Sequence, residues 1–156
     1  VSYLNYRAAT TRWIQFLPNQ TTPPTISSGS VVLWDTSTKK TTGGDSVSVN
    51  ASTGLITFSS SHRYLVQASI QIDRNASGGY SLEWQNSSGT TITPADGGFP
   101  VRYEYKDNIT QPMIDSSLVA TLALVNPTDT YKLVCTSVDA NSTVNPNTEL
   151  LIWELF

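Results

Sequence analysis

The side chains in this chain best suited to chemistry are few and scattered. Its one histidine, His62, precedes Arg63 at the start of an alternating stretch, with no motif to supply a nucleophile or an orienting acid. A histidine so placed reads as a surface or strand residue whose ring nitrogens are satisfied locally. Its one cysteine, Cys135, lies in "YKLVCTSV", an apolar run in which a free thiol acts as a small hydrophobe. A single cysteine excludes an internal disulfide and a cysteine-based zinc cluster. Glu104 and Asp107 are the residue types that serve glycoside hydrolysis, but nothing fixes the separation that two such carboxylates need. No glycine-rich phosphate loop and no HExxH is present. Glu149 and Glu154, in the closing segment, read as edge charges or as partners across a subunit boundary. The expectation is a protein that is not an enzyme and has no catalytic residues.

Bulk composition narrows the remaining classes. The 156 residues suffice for one domain with a real core. Only 13% are charged against 38% hydrophobic, so Ser, Thr and Asn supply most of the polarity. That mixture favours strands and turns over helices. A net charge of −3 lacks the basic footprint of a nucleic-acid binder. No apolar run approaches the length of a membrane span, so no membrane insertion is expected.

The elements that must carry these residues are short strands between turn clusters. "RWIQFL", "VVLW", "VSV", "GLITF", "HRYLVQASIQI", "GGYSLEWQ", "FPVRYEY", "SSLVATLALV", "YKLVCTSV" and "TELLIWELF" succeed one another without a repeat or an internal linker. In "HRYLVQASIQI", Tyr64, Val66, Ala68, Ile70 and Ile72 alternate with Leu65, Gln67, Ser69 and Gln71, which predicts one core face and one wet face. "GGYSLEWQ" likewise turns Tyr80, Leu82 and Trp84 inward. The sum is an all-β, two-sheet jelly roll, with residues 1–10 as a connecting segment and 11–156 as the domain.

Two segments break the wet-face rule. "SSLVATLALV" sets Leu118, Ala120, Leu122 and Leu124 against Val119, Ala123 and Val125. The closing segment sets Leu150, Ile152 and Phe156 against Leu151, Trp153 and Leu155. A sandwich buries one face of each strand, so the second apolar face must meet something else. The expectation is an oligomer interface built from Leu118, Val119, Leu122, Leu124, Leu151, Trp153, Leu155 and Phe156. The alternative is a long loop, or the N-terminal "VSYLNYRA", folded over that face.

The run "VVLWDTSTKKTTGGDSVSVNASTGLITFSSSHRYLVQASIQI" resembles the middle of the globular head family of the first complement component and its relatives. Val31 to Trp34, Thr53-Gly54, Phe58, Tyr64 and Ile70 fall in that family's apolar strand, Thr-Gly, Phe strand and long alternating strand. "SLVATLALVNPTDTYKLVC" and the closing "NTELLIWELF" are similar to its strand–turn–strand and its terminal strand. The resemblance implies a ten-stranded jelly roll of the tumour-necrosis-factor type, assembled as a homotrimer.

Antiparallel parity then puts the loops "DRNASGG", "YKDNITQPMID" and "DANSTVNPN" at one end, the distal tip if the family's orientation holds. Asp73, Arg74, Asn75, Lys106, Asp107, Asn108, Asp139 and Asn141 are the candidate tip-binding residues, and a trimer would present three copies of them. Calcium near Asp73, Asp107 or Asp139 is the one cofactor the resemblance suggests; no EF-hand spacing supports it, and no metal site is assigned. Asn19, Asn50, Asn75, Asn86, Asn108 and Asn141 each begin an Asn-Xaa-Ser/Thr triplet, a glycosylation pattern in secreted proteins that Ser/Thr/Asn-rich viral surfaces also produce. The expected function is the binding or structural head of a virion appendage of a bacteriophage: a capsid decoration, fibre tip or receptor-binding knob. Its base would meet a capsid or fibre stalk and its tip a host-surface protein or glycan, at the virion surface. The alternative is a secreted, extracellular complement-like or lectin-like head that binds glycans or cell surfaces.

Overall fold

The computed structural model describes residues 12–42, 46–59, 62–74, 78–92, 102–107, 113–125, 127–138 and 142–155. Strands are numbered along the chain. One sheet holds β1 (Arg12–Leu17), β2 (Thr25–Ile26), β3 (Asp35–Thr41), β6 (Arg63–Arg74), β9 (Met113–Val125), β11 (Ser142–Val144) and β12 (Glu149–Leu155). The other holds β4 (Val47–Val49), β5 (Ile56–Phe58), β7 (Gly78–Asn86), β8 (Arg102–Asp107) and β10 (Thr130–Val138), in the order β4-β5-β10-β7-β8. All pairings between these strands are antiparallel.

The seven-stranded sheet is simpler than its count. β9 pairs along β6 from Arg63 to Arg74 and so takes one whole edge of it. β12 and β11 therefore share the other edge, β12 opposite Arg63–Ser69 and β11 opposite Ile72–Arg74. They are one interrupted strand. β1 and β2 flank that strand in succession, and β3 closes the edge. Counted this way, the sandwich has five strands in each sheet, the ten-stranded jelly roll expected from the sequence. The interruption at Asn145–Thr148 is itself held to β6. Thr148 Oγ1 accepts from Gln71 N at 2.9 Å and donates to Gln71 O at 3.0 Å, standing in for a ladder residue.

The core lies between the sheets. Tyr64, Val66, Ala68, Ile70 and Ile72 of β6 and Tyr80, Leu82 and Trp84 of β7 are all buried, as their alternation predicts. Ile14, Phe16, Trp34, Ile56, Leu133, Leu150 and Ile152 complete the largest part of it. Gly54 is required where it stands. Its φ is +69°, and a Cβ there would lie 2.5 Å from Val31 Cγ1 and 2.7 Å from the Val32 carbonyl oxygen.

Several local expectations change. "VVLW" forms no strand beyond a bridge from Val31 to Val134, although Val32 and Trp34 are buried. The polar stretch after it, outside the strands read from the sequence, is the edge strand β3, whose lysines suit an open edge. The loop "DANSTVNPN" contains β11. In β9 the register shifts, so that Val66 faces Leu122 but Ala68 faces Val119, one extra residue on β9. Positions 118 and 122, which simple alternation puts on one face, thus fall opposite Ser69 and Val66, residues on different faces of β6.

Candidate interaction faces

The outer face of the seven-stranded sheet follows from register. Ile14, Phe16, Leu150 and Ile152 point into the core, so their neighbours along β1 and β12 point out. Trp13 lies opposite Trp153, and Trp153 lies opposite Leu65, giving one row across β1, β12 and β6. The next row is Gln15, Leu151 and Gln67, and Leu155 lies opposite Arg63. Trp13, Leu65, Leu151 and Trp153 are half-buried, and Leu155 is 40% exposed. Gln15 Nε2 donates to Glu149 Oε2 at 2.5 Å at the margin of the patch. The centre of this face is apolar, with amides beside it.

Of the expected interface residues, Leu151, Trp153 and Leu155 occupy this face. Leu124 does not: it is 5% exposed and belongs to the chain's own core, opposite Tyr64. Leu118, Val119 and Leu122 are placed by backbone register only, and Phe156 lies outside the described residues. Trp13 and Leu65 were missed. The signal for Trp13 was present in "RWIQFL", where Trp13 alternates with Ile14 and Phe16; that it meets Trp153 depends on a pairing between the two ends of the chain.

Glu154 corrects a second expectation. It is not an edge charge but fully buried, on the core face with Leu150 and Ile152. Its Oε2 accepts a hydrogen bond from Ser46 Oγ at 2.6 Å, and its Oε1 sits against His62 Nδ1. Ser46 leads into β4 of the opposite sheet, and the Ser46 carbonyl accepts from Tyr64 OH at 3.4 Å. Burial, with the Glu154 charge adding to it, pushes the Tyr64 phenol above its ordinary range. The cluster ties the two sheets at the end where β12 finishes. The Nδ1 side of His62 is committed to it. Cys135 is withdrawn: burial pushes its thiol up to about 11.

At the opposite end the strand termini converge. Arg74 pairs with Met113 and Ser142, and Gly78 with Asp107, so the connections 75–77, 108–112 and 139–141 leave from one end of the sandwich. Asp73, Arg74, Lys106 and Asp107 are strand residues rather than loop residues. Asp73 accepts from Asn145 Nδ2 through both oxygens, at 2.9 and 3.0 Å. The side chains of Arg74, Lys106 and Asp107 are not described, and Asn75, Asn108, Asp139 and Asn141 lie outside the described residues. Among the described residues no three of His, Cys, Asp and Glu gather to hold a metal.

The Asn-Xaa-Ser/Thr triplets have a local use. Asn19 Oδ1 accepts from Thr21 N and Oγ1 at 3.0 Å and from Thr22 N at 2.8 Å. Asn50 Oδ1 accepts from Ser52 N and Thr53 N, and Asn86 Oδ1 from Ser88 Oγ and Thr90 N. Each is an asparagine folding its own turn.

Neither a family model nor a curated protein matches this sequence. Solved structures do. Eiger TNF from S. frugiperda aligns over 94% of this chain and 93% of its own, at 14% identity and a TM-score of 0.57. Murine APRIL aligns over 94% and 99%, at 10% identity and a TM-score of 0.58. The fold is the tumour-necrosis-factor-like jelly roll. PRD1 vertex protein P5 also aligns, over 94% and 96%, at 15% identity and a TM-score of 0.46. In this jelly roll the Trp13–Trp153–Leu65 row lies on the outer face of the sheet that contains both chain ends' strands, β1 and β12.

Proposed function

We propose that this chain is a non-enzymatic trimeric head of a virion appendage, a capsid decoration, fibre tip or receptor-binding knob of a bacteriophage. The observation that carries the reading is the apolar row Trp13, Trp153 and Leu65 on an outward face, flanked by Leu151 and Leu155. A second copy of the chain supplies the matching apolar surface, and the number three is what the tumour-necrosis-factor resemblance implies. The low charge, the hydroxyl- and amide-rich turns and the absence of any disulfide support an assembly that relies on packing rather than on cross-links. The burial of Cys135 supports a structural or binding role over a catalytic one.

Native mass in solution tests this. The wild type is expected at three times the 17.0 kDa chain. Trp153→Asp is expected at the mass of one folded chain, with its circular dichroism unchanged. A wild-type monomer overturns the reading. Cryo-electron microscopy of virions labelled with an antibody to the chain then tests its location, and label absent from every particle overturns the virion assignment.

A further inference from the structure

We propose that a groove on the flank of the sandwich binds one neutral sugar residue of a glycan. The groove, about 370 Å³, lies between the segment that follows β1, the entry to β3 and the β4–β5 turn. Pro24, Leu33 and Trp34 give it an apolar lining, and Asn19, Thr22 and Asp35 bring polar groups to it. Its volume falls at the lower end of small-ligand sites, too small for a strand or a helix.

The polar groups are pre-oriented. Asn19 Oδ1 is taken up by Thr21 and Thr22, which fixes the amide and turns its function to donation through Nδ2. Asp35 Oδ1 accepts from Ser37 N at 2.8 Å and Ser37 Oγ at 2.7 Å. Those two hydrogen bonds hold the Asp35 carboxyl below its ordinary range, so it remains an ionised acceptor. The indole Nε1 of Trp34 is buried without a hydrogen-bond partner among the described residues.

These features select a chemical class. Among the described residues no lysine, arginine or histidine lines the groove, and Asp35 repels an anion, so phosphate, sulfate and acidic sugars are disfavoured. A purely apolar occupant would desolvate Asp35 with nothing in exchange. A neutral sugar meets both demands, with hydroxyls that donate to Asp35 and accept from Asn19 and a C–H face against Leu33 and Pro24. The groove uses none of the residues of the apolar row, so it serves a monomer as well as a trimer; three copies would add avidity.

The test is saturation-transfer NMR and titration of the intact chain with methyl glycosides of glucose, galactose, mannose and N-acetylglucosamine, with methyl glucuronide as the acidic control. At least one neutral glycoside is expected to bind weakly and saturably, and the glucuronide about tenfold more weakly or not at all. Asp35→Asn and Ala51→Trp, the second filling the exposed mouth of the groove, should each weaken binding by about tenfold or more, the size of one lost charge-assisted hydrogen bond, with unchanged melting temperature. Silence from every neutral glycoside, equal binding of the glucuronide, or binding that survives both variants overturns the proposal. Native mass on the same samples separates its failure from that of the trimer.

Discussion

The two sheets turn different outer faces to their surroundings, although both cover the same core. On the five-stranded sheet the row Ser48, Thr57 and Thr130 crosses β4, β5 and β10, and Glu83, Gln85 and Lys132 follow it. On the seven-stranded sheet the corresponding central row is Trp13, Trp153 and Leu65. The first row is polar, as on the wet face of an antiparallel sheet, although Val134 opposite Glu83 is buried. The second departs from that pattern at several positions on adjacent strands, which random surface variation does not do.

The largest effect separates these faces directly. Trp153→Asp should take the assembly from three chains to one by native mass, because a carboxylate in a desolvated contact is far costlier than a missing methyl. Thr57→Asp, on the other face, should leave the mass unchanged. The two faces of β12 itself come next. Ile152→Ala should cost about 2–5 kcal/mol in denaturant unfolding, since Ile152 is wholly buried in its own chain. Leu151→Ala should act mainly on association and little on the unfolding of the dissociated chain.

The Glu154 cluster gives a smaller effect with a diagnostic sign. His62→Ala leaves the buried Glu154 carboxylate with Ser46 and without the imidazole beside it, and should destabilise by about 1–3 kcal/mol. Adding Glu154→Gln should recover part of that loss, because the remaining group is then neutral. A double-mutant cycle by chemical denaturation measures the coupling, and additive losses would mean that the two side chains act independently. Cys135 gives a pH signature. Its thiol moves from an ordinary 9.0 to about 11, so burial favours the neutral form. The stability tied to it is complete below pH 9.0 and is lost as pH rises through about 11. Native Cys135 should therefore resist a thiol reagent at pH 8 and react once the chain is unfolded.

Much of the fold was legible because β6 and β7 alternate cleanly, so period two alone oriented their core residues. The candidate face was legible in β12 for the same reason. Glu154 shares the parity of Leu150 and Ile152, so its burial was written in the alternation; its partners were not, because His62 and Ser46 meet it only through tertiary folding. Leu124 was misassigned because period two does not say which parity of β9 faces the core; its pairing with Tyr64 decides that. β3 was missed because an edge strand is held by backbone pairing and needs no apolar residue. "VVLW" erred in the opposite direction: Val32 and Trp34 are buried by packing, with hardly any ladder.

The smallest effect asks whether apolarity alone makes a face adhesive. Ser48→Val, Thr57→Val and Thr130→Val together would write an apolar row on the wet sheet at positions where valine suits a strand. Each change should alter unfolding stability by no more than about 0.5 kcal/mol. Native mass should stay at that of the wild type over the usable concentration range. The reason is shape. A flat row of valines offers little area and no anchor, whereas Trp13 and Trp153 supply large rings at one register position. A mass that climbs with concentration in the triple variant would assign the difference between the faces to hydrophobicity itself. An unchanged mass would assign it to the paired tryptophans and the fit they impose.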